Sequence, residues 1–567
     1  MTEVFETDVL VIGGGAAGTN AAIKAAGRGA KVTMVVKGLL GKSGCSIFAA
    51  FTPYFQKTSE DLRKNRWRFM IRYYNHYLAD QEYCGRLEDF MCDEFYQELE
   101  RMGVYWRRKA EGGLEMIEAR TRSLVAHKQG ATGPIMMDKR RREVLRLGIP
   151  VHEECAVTSL LTDGERVVGA TVLDYRRGRY FIIHAASTII ATGHSDYLAT
   201  RSTGTREQSA DGISMALRAG AEVANLEIQW WHVSDVLEPK SWMRYHIYPN
   251  PLMGTLETSR LYNSNGDMFY EQKTHSPGAA APYTEQLRRL ALEVIGGRAR
   301  FDGGYHSGYD HIPADTTRTY QHQAKIWSKL GLDVGKERLE CGITWHMRHG
   351  GINVDAERMQ TSVPGLYAAG GVGCHYFGGV GPASYDGKVA GEAAADLALA
   401  NGRRALPQQA LAAEEQRVFG FLRTGAEGPR PIQAKLRVRR IMWELGYIKN
   451  KRNMQAALVA LQQVREDMIP RLSLASTSLN WNTGWMDALD ACSMLDACEA
   501  MVRSGLNRKE SRGPFYREDY PYVDNENWLC RNVLKRVDGD WRSRVQPIPT
   551  PYLTPEKARE PFFEADY

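Results

Sequence analysis

Apolar positions along this chain follow two rhythms, and their alternation divides it. Near the N-terminus the β-branched run Val9-Leu-Val-Ile12 meets glycines at 13, 15 and 18; an alanine-rich stretch over 20–27 reads as helix, and a second apolar run fills 31–36. That order is strand, tight turn, helix, strand: a βαβ unit. Residues 60–104 carry aromatics and charges at helical spacing (Trp67, Met70, Tyr73, Tyr77), a stripe that reads as core and cover. From 151 to 193 the period shortens to two. Strands over 156–161 and 167–173 flank a turn at Asp163-Gly164, and an apolar strand closes on Ala191-Thr192-Gly193. This last one reads as a further parallel strand, delivering backbone to a ligand. Residues 203–220 read as loop, helix and glycine stop.

The rhythm breaks over 234–350, which is rich in Pro, Tyr, Trp, His and Gly, and resumes at 365–373. There a strand runs into a glycine-rich loop over 378–384 and an alanine-rich helix over 387–400. Residues 405–506 are helical by periodicity, and the prolines and aromatics from 518 onward predict irregular structure wrapping a surface. The organisation expected is an α/β nucleotide-binding domain from 1–233 and 351–404, an insertion over 234–350, a helical domain over 405–517 and a tail over 518–567.

The first glycines carry chemistry. Gly13 lets the chain turn, Gly15 lets backbone approach a pyrophosphate, and Gly18 lets the helix pack on the strand. The helix start at Ala16 and Ala17 presents free N–H groups and the positive end of its dipole to that anion. NAD sites place an acid at the end of the second strand for a ribose hydroxyl. Here Lys37 stands there, a cation compatible with FAD or with a phosphorylated ribose. The small-residue loop holding Ser43, Gly44 and Cys45 can let a flat ring lie against backbone. So can the late glycine loop with Gly370, Gly371, Ala383 and Ser384. Ala156, Ala191, Thr192, Gly193 and Asp211 complete the expected cofactor positions.

Charge and cysteine usage narrow the class. With 73 basic and 67 acidic residues in 567 the excess is small, and no basic stripe interleaves with aromatics, so nucleic-acid binding is not expected. The nine cysteines are scattered, without a CxxC pair, and Cys492 and Cys498 lie six apart. A reduced, cytoplasmic protein without a metal or iron–sulfur centre of its own is the simplest expectation. The opening residues do not read as a signal peptide, and no apolar stretch approaches eighteen residues, so no membrane span is expected.

Together these features resemble the flavoprotein subunits of the succinate dehydrogenase / fumarate reductase family, which includes L-aspartate oxidase and, more distantly, the adenylylsulfate reductase α subunit. The resemblance runs through the first glycines, Ala191-Thr-Gly193, residues 209–220 and 363–370, and Lys509-Glu-Ser-Arg-Gly513 with Arg517-Glu-Asp-Tyr-Pro521. It implies a Rossmann-like α/β FAD-binding domain with an inserted α+β capping domain and a C-terminal helical domain. The family keeps a lysine where Lys37 stands. Membrane-bound members attach FAD through a histidine in a Ser-His-Thr segment; here that loop reads Ser43-Gly44-Cys45, so non-covalent FAD is expected, a thioether at Cys45 being the alternative.

The resemblance also assigns substrate positions. The two carboxylate-gripping histidines correspond to His232 and His346. A proton-donating arginine falls near Tyr283, a carboxylate-binding arginine on Tyr376, and the acid after the late strand on Gly371. Losing two guanidinium groups removes the bidentate grip that a dicarboxylate wants, whereas Tyr and Trp offer stacking surface. A less anionic or more aromatic substrate, small and organic or sulfur-containing, is therefore expected. His346, Tyr283, His232, Arg288, Arg348 and His349 are the candidates to handle protons beside flavin N5. His346, Arg348 and His349 read as a cationic cluster before Gly350-Gly351, and Arg512 and Arg517 as structural glue.

No electron exit is written in the chain, which points to a heteromeric complex or oligomer with an iron–sulfur, ferredoxin-like partner. The basic stretches Lys435-Leu-Arg-Val-Arg-Arg440 and Lys449-Asn-Lys-Arg452 either dock that partner or form a solvated face. The alternatives are a true fumarate reductase or succinate dehydrogenase, an oxygen-using oxidase, and an electron-transfer subunit with a degenerate substrate site.

Overall fold

Three larger sheets organise the computed structural model, which describes residues 2–49, 52–53, 69–119, 121–124, 126, 132–194, 196–236, 259–271, 282–301, 305–309, 328–329, 331, 338–374, 379–424 and 428–565. The first is the nucleotide-binding sheet. Its strands β1 (Glu3–Ile12), β2 (Val32–Val36), β3 (Val151–Glu153), β4 (Cys155–Thr162), β5 (Val167–Asp174) and β6 (Arg179–Ile190) lie in the order β3-β2-β1-β6-β5-β4. Strands β3, β2, β1 and β6 are parallel, and β6, β5 and β4 form the antiparallel meander that the alternation predicts. Val9, Leu10 and Val11 are fully buried, as a parallel sheet covered on both faces requires. Helix α1 (Ala16–Gly27) joins β1 to β2. Helix α2 (Gln81–Asp93) and helix α3 (Thr132–Arg146) follow, and helix α4 (Asp211–Arg218) comes after β6.

Next along the chain are β7 (Val223–Ala224), β8 (Gln229–Val236), β9 (Ser259–Tyr262), β10 (Met268–Glu271), helix α5 (Pro282–Ile295), β11 (Tyr305–Tyr309) and β12 (Arg338–Arg348). Strands β8, β12, β11, β9 and β10 form an antiparallel sheet in that order. It occupies the insertion, although the expected boundary between 233 and 234 falls inside β8. The chain then returns through β13 (Gly351–Asn353) to β14 (Leu366–Ala368), which pairs in parallel with the last residues of β6, and β15 (Gly373–Cys374).

Helix α6 (Val380–Asn401) packs on α1, and a Cβ on its Gly387 would lie 2.2 Å from the Ala17 carbonyl oxygen. Only a glycine allows that approach. The helix begins seven residues before the expected 387, so Val380–Ser384 is its first turn rather than loop; Pro382 is tolerated there because a first-turn N–H needs no partner. Helices α7 (Gln408–Phe419), α8 (Pro431–Leu445), α9 (Lys451–Gln463) and α10 (Thr483–Asn507) form the helical region.

The tail is not irregular. Strands β16 (Cys530–Val537) and β17 (Asp540–Pro547) form a hairpin, and β16 pairs with β7 in a sheet ordered β15-β13-β7-β16-β17. Its two-residue turn is Asp538 at φ 51° and Gly539 at φ 88°, the left-handed pair of a type I′ turn. A buried ion network ties the tail to the core. Arg508 bonds Glu227 and Glu510, and Arg512 bonds Glu510, Asn525 and the His76 carbonyl. Arg517 donates to the carbonyls of Gly505, Leu506 and Arg508.

Candidate functional site

The site begins where β1 turns into α1. Gly13 sits at φ 121°, and a Cβ there would lie 2.2 Å from the Ala191 carbonyl oxygen. A Cβ on Gly18 would lie 2.0 Å from the Gly13 carbonyl oxygen. A Cβ on Gly15 would meet only Ser46 Oγ, at 3.1 Å, so this face of the turn is open, as a pyrophosphate needs. Gly15 caps the helix without a side-chain bond, and the Ala16 N–H donates to Ser46 Oγ at 3.0 Å. Ala17 packs beneath Gly370, whose N–H donates to Asp386 Oδ2 at 3.0 Å. The two glycine-rich turns are tied directly: Asn20 Nδ2 donates to the Ser384 carbonyl at 2.6 Å, and Ala383 lies beside it in the same first turn of α6.

Lys37 follows directly after β2 and is held by the protein. Its Nζ donates to Ser209 Oγ at 2.7 Å, Asp211 Oδ2 at 3.3 Å and Asp490 Oδ1 at 2.6 Å, which uses all three protons. Burial works against its charge, but Asp211 and Asp490 more than offset that and raise its pKa. Lys37 is thus held by three protein groups at the place expected for a cofactor-binding cation. Ala156, Val157, Lys37, Asp211 and Asp490 line one open cavity at this end of the sheet.

Beyond β6, the segment after Ala191-Thr192-Gly193 folds into the interior. Arg348 Nε and Nη2 both donate to the His194 carbonyl, at 3.0 and 2.6 Å. The His194 ring fills the space left by Gly371, where a Cβ would come within 2.4 Å of it. This explains locally why no acid stands at 371. Burial, reinforced by Arg348, lowers the His194 pKa to about 4, so the ring is neutral. Burial raises Asp196 well above the carboxylate range and lowers Arg348 to about 10, still charged at neutral pH. Thr192 Oγ1, His194 Nδ1, Asp196 Oδ1, Thr205 Oγ1 and Arg348 Nη1 are all buried without a hydrogen-bond partner among the described residues. Each such group costs about 1–3 kcal/mol; they follow the strand end that lies against Gly13, with the His194 ring against Gly371, where the polar edge of a flavin would supply partners.

Cys45 lies on the same side, its Sγ donating to Gln208 Oε1 at 3.0 Å. Burial pushes this thiol up to about 12, so it stays protonated and is no nucleophile. Gly44 holds φ 76°, and Ser43 folds onto its own loop, accepting from the Leu39 N–H at 3.0 Å.

The expected cationic cluster is dispersed. His346 is half-buried, with Nδ1 at 2.8 Å from Thr203 Oγ1. Arg348 turns to the His194 carbonyl, and His349 is buried in a stack with Trp230 and His76, at ring-centroid distances of 5.3 and 6.2 Å. Burial, and then His194, lowers His349 to about 3, so it is neutral rather than cationic. The strand ends here, and three neighbours in sequence reach three environments. His76, at φ 51°, lies 3.2 Å from Thr284 Oγ1 through Nε2 and is likewise held neutral by burial.

Arg288 donates to the Ala565 carbonyl at 3.0 Å and to the Phe562 carbonyl, with the Phe562 ring 5.1 Å from its guanidinium, and its charge is among those that lower His76. It anchors the C-terminal segment. His232 lies in β8 opposite Thr344, two positions from His346, and Tyr283 is the second residue of α5; the side chains of both lie outside the described part. Tyr376 lies outside the described residues. The basic stretch over 435–452 is divided: Arg437, Arg440, Lys451 and Arg452 are exposed, whereas the other cations face inward. Lys435 is buried between Asp487 and Asp490, Arg439 donates to the carbonyls of Ala199 and Thr200, and Lys449 is buried on the Gly446 carbonyl. Sequence reasoning does not single out His194, Asp196 or His76. Only His194 has a signal there, its place directly after Ala-Thr-Gly.

Among the described residues no group of His, Cys, Asp and Glu is placed to hold a metal, and no helix is long and apolar enough to cross a membrane. Residues 8–384 match the FAD binding domain family, and residues 435–560 match the fumarate reductase flavoprotein C-terminal family. The chain is 28% identical over 553 residues to one subunit of the fumarate reductase (CoM/CoB) of Methanothermobacter marburgensis, covering 94% of this chain and 98% of that one. It is 25% identical over 578 residues to an L-aspartate oxidase of Streptomyces coelicolor, covering 97% and 94%. The fold is that of the E. coli quinol fumarate reductase flavoprotein, with a TM-score of 0.86 at 23% identity over 98% of this chain and 99% of that one. Adenylylsulfate reductase of Archaeoglobus fulgidus shares the fold at a TM-score of 0.77 and 20% identity, over 97% and 98%. The glycine turns, the open face at Gly15 and these matches give one conclusion: the chain belongs to the succinate dehydrogenase / fumarate reductase flavoprotein family and is an FAD-dependent oxidoreductase.

Proposed function

We propose that this chain is the catalytic flavoprotein subunit of a reductase-type complex. It holds FAD without a covalent bond, moves hydride to or from a small organic or sulfur-containing substrate beneath the insertion, and exchanges electrons with an iron–sulfur, ferredoxin-like partner. The observation that carries this reading is the set of unsatisfied buried polar atoms from Thr192 to Thr205, with Arg348 Nη1, beside the two glycine turns. FAD supplies hydride transfer at its N5. The chain's own residues supply the surroundings. Gly13, Gly15 and Gly18 bring backbone to the pyrophosphate, and His194 and Arg348 fix the loop after β6. His346 is oriented by Thr203 and, unlike the buried His76 and His349, is only half-buried. It is the group assigned to hold or move the substrate proton, with His232 and Tyr283 as the further candidates.

The protonated thiol of Cys45 supports non-covalent FAD. The free, buried Cys84, Cys155, Cys374 and Cys498 support a reducing compartment, the cytoplasm. A thiol substrate is favoured by the M. marburgensis relative, whose name carries CoM/CoB, and by the loss of guanidinium groups at Tyr283 and Tyr376. The second reading, fumarate reduction, is supported by the names of several relatives. Anaerobic titration of the holoprotein separates them. Bleaching of the flavin by a small thiol such as coenzyme M, two thiols joining as a disulfide while their two electrons reduce the flavin, with none by succinate, is the expected outcome. Rapid reoxidation of the reduced flavin by fumarate, with no response to thiols, would establish the second reading instead.

A further inference from the structure

We propose that Asp490, on α10 of the helical region, is a positioning residue for the adenosine half of FAD, so that cofactor retention and the docking of α10 depend on each other. This rests on placing the adenosine at the ends of β2 and β4. In that position β2 supplies no acid of the kind that a ribose hydroxyl usually meets, because it ends at Val36 and Lys37 follows. The carboxylate comes instead from Asp211, the first residue of α4, whose Oδ2 is drawn to Lys37 Nζ at 3.3 Å.

Lys37 is in turn held from outside the nucleotide-binding domain. Asp490 Oδ1 accepts from Lys37 Nζ at 2.6 Å and from Ser209 Oγ at 2.8 Å. Its Oδ2 accepts from Lys435 Nζ at 2.8 Å, and Lys435 also bonds Asp487 Oδ1 at 2.7 Å. One buried carboxylate thus bridges two lysines from different parts of the chain. Removing its charge leaves two ammonium groups facing each other with fewer partners than protons. Lys37 is then free to swing, and Asp211 loses the contact that aims it. The packing agrees. Lys37, Ala156 and Asp211 face Met486, Leu489 and Asp490 of α10 across a gap of only about 20 Å³, room for a water, so a shift of one wall is passed to the other by contact.

The test uses the full-length holoprotein and its FAD-stripped form. Asp490→Asn should speed FAD release about tenfold, the loss of roughly one charge-assisted hydrogen bond, while Asp490→Glu restores most of the retention. Lys435→Gln, which leaves the Lys37–Asp490 pair intact, should speed release less, and it carries the test if Asp490→Asn does not accumulate as folded protein. In the unsubstituted chain, stripping FAD should raise amide hydrogen exchange across α10, a change that a purely structural Asp490 would not produce. Unchanged FAD release in the variants, or equal protection of α10 with and without FAD, overturns the proposal. A stripped chain that takes up no FAD at all would contradict the cofactor site itself, a different failure.

Discussion

A methyl group on Gly13 would collide with the Ala191 carbonyl at 2.2 Å, in a backbone conformation of φ 121° that side chains avoid. Gly13→Ala should therefore separate β1 from β6 at the turn and abolish FAD retention. It should also cost about 2–4 kcal/mol of stability, measured as urea unfolding of the stripped protein. This residue is legible in the sequence because its role is backbone geometry, which spacing records. His194 is legible only as the residue after a strand end, since its neutral state comes from burial and from Arg348, groups far apart in sequence. That neutrality has a pH signature. His194 and His349 titrate at about 4 and about 3 in the folded protein, against 6.5 for an ordinary histidine. Below pH 6.5 the unfolded chain takes up protons that the folded one refuses, so stability is full above that pH and falls as pH drops toward 4. Each pKa unit is worth about 1.4 kcal/mol. Because the raised Asp196 carboxyl has the opposite pH dependence, thermal melts of the Asp196→Asn variant from pH 8 to pH 4 should show this loss, and a flat profile there would contradict the buried, neutral assignment.

Among elements, the α/β alternation and the meander are legible because parallel strands and helices have distinct periods. The hairpin of β16 and β17 reads as irregular in the sequence despite its Asp538-Gly539 turn, because neighbouring prolines and aromatics obscure the alternation. The basic stretch over 435–452 shows the reverse problem. A helix presents successive cations on different faces, so Lys435 and Arg439 point inward, four residues apart, while Arg440 pairs with Glu444 at the surface. The ion network beneath the tail has a measurable consequence. Glu510 bonds both Arg508 and Arg512, and all three side chains are fully buried. Glu510→Gln should leave uncompensated charge there and destabilise the protein by about 3–5 kcal/mol, seen as a lowered urea midpoint. A change under about 1 kcal/mol would show that water reaches the cluster.

Across the whole molecule, the nucleotide-binding sheet and the helical region meet where Lys37 and Ser209 bond Asp490. The first glycine turn, the late turn at Gly370 and the loop after β6 converge although they are hundreds of residues apart, because β1, β6 and β14 are neighbours in one sheet. Sequence motifs identify each turn, but only the sheet order shows that they face one space. The same burial that keeps Cys45 a thiol at pH 7 argues that the cofactor is held by fit alone. Acid precipitation of the purified holoprotein tests this directly. The expected result is a colourless pellet and a yellow supernatant containing FAD in amounts stoichiometric with the chain; flavin retained in the pellet, or a protein that carries no flavin and binds none, would contradict it.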